Sequence, residues 1–300
     1  MSQRTHAFGM PLLLYGTAWK GDRTDSLLRT ALNAGFAGFD TASQPKHYRE
    51  DLVGDALQQF AVEDRRSDAE ELVRSGSLWV QSKFTPLDGQ DRTRPLPYDA
   101  SASIGEQVMQ SFNTTQRHLA VVSVSALVLH SPYQELADTL EAWAAMSALH
   151  DGQLVDHLGI SNIYDPLAFA AFFDAVSVKP RFVQNHLHRQ TRHLRALLPV
   201  LAARNCALQL FWTLTGNPHV LSAPEFVALA RQHALTPAEL FYAFLLQRGL
   251  HADVPVTILD GTTNASHMAG DLKIAARSFD VALRDDELAS IRALLFQPGA

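Results

Sequence analysis

Asp40, Lys83 and His130 lie far apart along the chain, yet each stands at the end of a short apolar run. Brought together, a carboxylate, an amine and an imidazole can orient a substrate and pass a proton to a reacting oxygen. A lysine with a lowered pKa can instead attack a carbonyl carbon and form a Schiff base. Asp40 and Lys83 alone also describe an ordinary structural ion pair, so the fold decides between these chemistries. Other apolar runs end in polar or aromatic groups as well: Gly16-Thr17-Ala18-Trp19, Ser161-Asn162, Gln184, Trp212 and Gly261-Thr262-Thr263.

The elements that must position these residues follow from hydrophobic periodicity. Short β-rich runs occur at Leu12–Tyr15, Phe36–Phe39, Leu78–Ser82, Val124–Leu129, His157–Ser161, Arg181–Asn185, Ala207–Phe211 and Val256–Leu259. Between them, apolar residues recur at helical spacing, as in Asp25–Asn33, Asp51–Phe60, Leu136–Leu149 and Leu194–Ala203. Strands alternating with helices predict βαβ units and a parallel sheet. Eight such units predict an α/β fold of the (β/α)8 TIM-barrel kind, a single domain over residues 1–300. An open doubly wound sheet is the competitor, but no Gly-x-Gly-x-x-Gly turn follows the first strand and no composition break marks a second domain.

Three segments depart from minimal repeats. Glu63–Ser77 is charged and expected to be solvated. Thr85–Ser101, with Pro86, Pro95 and Pro97, is a long loop after the third strand, expected to shape access to the barrel mouth. Leu235–Leu246 adds a helix opened by Thr236 as N-cap and Pro237 at the first helical position.

Composition narrows the function classes. With 300 residues, 47% hydrophobic and 19% charged, the chain can bury a large core. A net charge of -6 argues against a nucleic-acid binder. Cys206 stands alone, which excludes an intramolecular disulfide and agrees with a reducing compartment. Met1–Gly9 lacks the apolar core of a secretory signal, and Leu119–Leu129 is too short to span a bilayer. A soluble, cytoplasmic protein is expected.

Several stretches resemble the successive signatures of the aldo-keto reductases: Gly35–Ala42 (GFAGFDTA), Tyr48–Gly54 (YREDLVG), Gln81–Lys83 (QSK), Leu129–Pro132 (LHSP), Gly159–Asn162 (GISN) and Val183–Gln184 (VQ). They stand in the family's order from about Pro11 to Leu294. Gln44–Tyr48, Phe211–Pro218, Gly261–Thr263 and His267-Met268 are similar to a divergent branch associated chiefly with fungi. The resemblance implies a barrel that reduces aldehydes and ketones with a nicotinamide cofactor, usually NADPH, with a place in secondary metabolism as the expectation here. It places the catalytic positions on Asp40, Tyr48, Lys83 and His130. Tyr48 would be the acid that protonates the developing alkoxide. The Lys83 ammonium would lower the tyrosine's pKa from roughly 10, Asp40 would hold Lys83, and His130 would orient the carbonyl. Counting back from Val53-Gly54 puts His47 in the tyrosine's place, so His47 stays open as a relay.

The same resemblance places Ser161, Asn162 and Gln184 on the nicotinamide carboxamide and Trp212 against its ring. Lys20, Leu214 and Asn217 fall near the pyrophosphate. Gly261, Thr262, Thr263, His267 and Asp271 fall at the adenosine end. Many family members grip the 2′-phosphate of NADPH there with lysine, serine and arginine; here the cations are missing and Asp260 is close, so NAD is possible beside NADP. Trp19, His47, Phe84 and Trp79 suggest apolar walls for a small-molecule carbonyl substrate. No nucleic acid or membrane partner is expected, and the chain is expected to be a monomer or weak oligomer. Two other functions stay open: a barrel enzyme using Lys83 as Schiff base, and a cofactor-binding auxiliary protein with little turnover. His186 and His188 alternate along one strand without a third ligand at a supportive spacing, so no metal is expected.

Overall fold

The computed structural model describes residues 5–6, 8–66, 68–247 and 249–296, apart from the side chains of 193 and 279. Met1–Arg4, Ala7 and 297–300, which the single-domain span includes, and Ser67 in the charged segment lie outside the described residues. Eight parallel strands close on themselves: β1 (Leu13–Gly16), β2 (Gly38–Asp40), β3 (Trp79–Phe84), β4 (Val124–Leu129), β5 (Val155–Ser161), β6 (Phe182–His186), β7 (Ala207–Phe211) and β8 (Val256–Asp260). Each pairs with the next and β8 returns to β1. The apolar runs locate these strands because a parallel strand covered on both faces reads as a nearly unbroken hydrophobic stretch.

The helices of the outer layer are α1 (Thr24–Ala34), α2 (Glu50–Glu63), α3 (Ala69–Arg74), α4 (Ile104–Leu119), α5 (Leu136–Asp151), α6 (Pro166–Ala175), α7 (Leu198–Ala203), α8 (Pro218–Leu221), α9 (Pro224–Gln232), α10 (Pro237–Leu246), α11 (Ala265–Arg277) and α12 (Asp285–Leu295). α1 buries Leu27, Leu28, Ala31 and Leu32 and stops at Gly35, whose φ of 112° favours glycine. Thr236 and Glu239 form a reciprocal capping box at the start of α10. None of the described helices is long and apolar enough to cross a membrane.

Two expectations need correction. The charged segment after α2 is not wholly solvated: Asp68 caps α3 through Glu71 N, and Leu72 and Val73 are buried. Phe84 and Trp79 do not line the substrate side. Side chains alternate across β3, so Trp79, Gln81 and Lys83 enter the barrel while Val80, Ser82 and Phe84 face the helices. Phe84 is buried in the outer core beside Tyr98, with ring centres 5.7 Å apart. Trp79 stacks on His157 at 5.4 Å and packs with Met10 and Phe182 inside the barrel.

α2 and α4 approach closely at Gly54, where an added Cβ would fall 1.8 Å from His118 O. That oxygen belongs to the backbone and cannot swing away. Gly54→Ala is expected to cost about 1–3 kcal/mol in urea unfolding; an unchanged midpoint would contradict this packing.

Candidate active site

Lys83 is 1% exposed, so its charge has to be answered within the protein. Its Nζ donates to Asp40 Oδ2, to Thr41 O (2.9 Å) and, more distantly, to the Tyr48 hydroxyl (3.4 Å). The opposite carboxylate oxygen, Asp40 Oδ1, accepts from Gln81 Nε2 (2.7 Å) and Gln184 Nε2 (3.0 Å). Both amides also donate to Gln209 Oε1, at 2.9 and 2.8 Å. Gln209 Nε2 and Trp79 Nε1 in turn donate to Gln81 Oε1. A layer of amides inside the barrel thus fixes the carboxylate that fixes the lysine. Gln209 escaped notice in the sequence, although three glutamines inside apolar strands are a signal of an inward polar layer.

Asp40, Tyr48 and His130 line a cleft of about 940 Å³ at the strand C-termini. The rings of Tyr48 and His130 meet edge to face, with centres 6.1 Å apart. His47 also lines the cleft but stacks against Trp19, centre to centre 3.5 Å, so Tyr48 is the residue that meets Lys83.

The electrostatics differ in one respect from the sequence expectation. Burial raises the pKa of Tyr48, and although Lys83 pulls it down, Asp40 offsets part of that pull and the net direction is upward. Tyr48 is therefore a protonated phenol at neutral pH. Burial alone would depress Lys83, but Asp40 and Tyr48 outweigh it and hold the ammonium above the ordinary lysine value. His130 is pushed down to about 3 by burial, then by Lys83 and His47, and is neutral.

The residues expected around a nicotinamide divide into lining and scaffold. Asn162, Gln184 and Trp212 line the cleft. Asn162 adopts a left-handed backbone (φ 57°) and donates to His130 O (2.9 Å). Trp212, at φ 58° and 54% exposed, turns its ring outward beside His186, 4.3 Å between centres. Ser161 is fully buried and donates to Gln184 O (2.7 Å), so it supports this end without lining it. Leu214 lines the cleft, whereas buried Asn217 donates to Leu187 O (2.6 Å) and Thr213 O (2.8 Å) and holds the turn that presents it.

At the far end, Lys20, Gly261, Thr262, His267 and Asp271 line the cleft, and exposed Thr263 is not among its walls. Lys20 Nζ donates to Gly261 O and is the single Lys or Arg among the described lining residues. Asp260 Oδ1 accepts from Thr262 N (2.9 Å), while buried Asp260 Oδ2 has no hydrogen-bond donor among the described residues. Opposite it stands Asp271, raised to about 8 by burial and by the Asp260 charge; a proton held on Asp271 supplies the missing donor. Two first-turn N–H groups of α11 are already engaged, since Asn264 Oδ1 accepts from Ser266 N (2.8 Å) and His267 N (3.4 Å).

Amides and an outward indole beside the phenol fit a nicotinamide. The far end offers a 2′-phosphate few free donors and a nearby acid pair. His186 Nδ1 lies 3.0 Å from Tyr164 OH and His188 Nδ1 accepts from Gln190 N, and no described group of three His, Cys, Asp or Glu residues could hold a metal. Cys206 is buried, its thiol pushed up to about 12 by burial, and is an inert core residue.

The family model described as the aldo/keto reductase family matches residues 15–295. The aldo-keto reductase family 1 member A1 of Mus musculus is 24% identical, the alignment covering 95% of this chain and 86% of that protein. The solved aldo/keto reductase from Brucella melitensis shares the fold with a TM-score of 0.73 at 20% identity, covering 95% of each chain. That of the silkworm Bombyx mori superposes with a TM-score of 0.74 at 19% identity, over 95% of this chain and 84% of its own. With the match running through nearly every strand and helix of the barrel, the chain belongs to the aldo/keto reductase family and is an oxidoreductase acting on carbonyl groups.

Proposed function

We propose that this protein reduces an aldehyde or ketone to the alcohol with a nicotinamide dinucleotide, and that Tyr48 gives the proton. The observation that supports this most is the Tyr48 hydroxyl, held 3.4 Å from a buried ammonium at the floor of the cleft. The bound reduced cofactor supplies the hydride that reaches the carbonyl carbon. Tyr48 delivers its proton to the oxygen as negative charge develops there, and the Lys83 ammonium stabilises the phenolate left behind. Asp40 keeps that ammonium charged and in place. Neutral His130 hydrogen-bonds the carbonyl oxygen and sets its direction. Asn162, Gln184 and Trp212 hold the nicotinamide, with Ser161 bracing Gln184 and Asn217 bracing the turn that carries Leu214.

A Schiff base on Lys83 is the less favoured chemistry. It needs a free amine, whereas this amine is buried, bonded to Asp40 and shifted upward. NADP, the family's usual cofactor, is the proposed partner, held by Thr262, His267 and Lys20 with a weak 2′-phosphate grip. Trp19, packed against His47, gives the substrate side an aromatic wall, suited to a small carbonyl compound such as an intermediate of secondary metabolism.

Tyr48→Phe is expected to lower kcat by about 10²–10⁴-fold while the NADPH dissociation constant, read by tryptophan fluorescence, changes little. Near-native turnover in that variant would remove Tyr48 from the role. The affinity advantage of NADPH over NADH is expected to stay within about tenfold, or 1.4 kcal/mol. It should shrink as the pH rises through about 8, where Asp271 loses its proton and adds negative charge near the phosphate. Asp271→Asn should abolish that pH dependence, keeping the low-pH preference for NADPH above pH 8. Titrations showing a clear preference for NADH would overturn the NADP assignment.

A further inference from the structure

His130 has two ring nitrogens, and only one tautomer serves a carbonyl oxygen. A protonated Nε2 donates to that oxygen; a bare Nε2 lone pair repels it. His130 Nδ1 lies 2.7 Å from the hydroxyl of Thr85, and its Nε2 has no hydrogen-bond partner among the described residues while the ring lines the cleft.

We propose that Thr85 is a positioning residue for the reaction: its hydroxyl donates to His130 Nδ1 and so places the ring proton on Nε2, facing the substrate oxygen. The inference rests on the carbonyl-orienting role of His130 given above. It follows from hydrogen-bond accounting. Thr85 is 2% exposed, and its Oγ1 has no partner among the described residues besides His130. If Nδ1 carried the proton, Thr85 would accept it, and the hydroxyl's own proton would be buried with no acceptor. With Thr85 as donor, its hydroxyl proton and His130 Nδ1 satisfy one another, and the Nε2 proton faces the open cleft. Burial and the Lys83 charge keep the ring neutral, so the choice lies between two neutral tautomers.

The long loop after β3 gives Thr85 little freedom. Tyr98 OH (2.7 Å) and Gln90 Nε2 (3.4 Å) both donate to Thr85 O, and Gln90 Nε2 also donates to Ser43 O (3.0 Å). Gly89 leaves the space that the Thr85 methyl occupies, since a Cβ there would fall 2.8 Å from Thr85 Cγ2. The methyl is packed against the loop and the hydroxyl is turned to the imidazole. The loop therefore buttresses the histidine from behind.

Thr85→Val keeps the shape and removes the donor, whereas Thr85→Ser keeps the donor. Valine is expected to lower kcat by about tenfold or more, with KM and the NADPH dissociation constant nearly unchanged, and serine to restore it. Long-range ¹H–¹⁵N spectra of histidine-labelled protein, with His130 assigned by its loss in His130→Gln, should show Nε2 protonated in the wild type. In Thr85→Val that preference should be lost. Wild-type kcat in Thr85→Val, equal damage from serine and valine, or a protonated Nδ1 in the wild type would each overturn the proposal. If the wild type oxidises no NADPH with any carbonyl, the proposed function falls, and the spectra still decide the tautomer.

Discussion

The Lys83 ammonium and the Asp40 carboxylate, almost fully removed from solvent, set the terms for the rest of the barrel mouth. Burying either charge alone costs several kcal/mol, so neither is tolerable without the other and without further hydrogen bonds. Those bonds are present. Gln81 and Gln184 occupy one carboxylate oxygen, Thr41 O receives a second ammonium proton, and Gln209 ties the two amides together. Such a layer specifies strand register as well as charge. Asp40 pairs with Gln81 and Ser161 with Gln184, so a slip of one residue would turn these side chains toward the helices.

The two ends of the cleft are built on opposite principles. Around Tyr48, a single buried cation is matched by a single anion, and the phenol beside that ammonium and the His130 ring is held in its protonated form. Around Asp260, two carboxyl groups face one another with Lys20 held on Gly261 O. The first arrangement is suited to stabilising a negative charge that appears only during reaction. The second is poorly suited to a permanent dianion. Between them, residues that never touch the cleft keep its walls in place: Ser161 beneath Asn162, Asn217 beneath Leu214, and the loop from Thr85 to Tyr98 behind His130.

The barrel was legible in the sequence because its strands are buried on both faces and its helices carry one apolar stripe, two patterns that local periodicity exposes. The strand ends pointed to Asp40, Lys83 and His130 for the same reason. Phe84 was misplaced because adjacency in sequence to Lys83 means the opposite face of a strand, and a long loop beside it suggested a pocket wall. Asn217 and Ser161 carry the right chemistry for a ligand, but their polar atoms are spent on carbonyls that only tertiary structure brings near. Gln209 and Thr85 lie one side chain further from the cleft, and nothing local distinguishes a braced imidazole from a free one. The upward shift of Tyr48 was equally hidden, since the sign depends on how deeply the phenol is buried and on how far Asp40 cancels Lys83.

The dependence of this architecture on one matched pair of charges is tested most directly by a double-mutant cycle on Asp40→Asn and Lys83→Met, followed by urea unfolding. Each single substitution should cost about 3–5 kcal/mol, because it strands the remaining charge. The double variant should cost clearly less than the sum, with a coupling of about 1–3 kcal/mol. Strictly additive losses would mean that the two groups are buried independently, and would contradict the account.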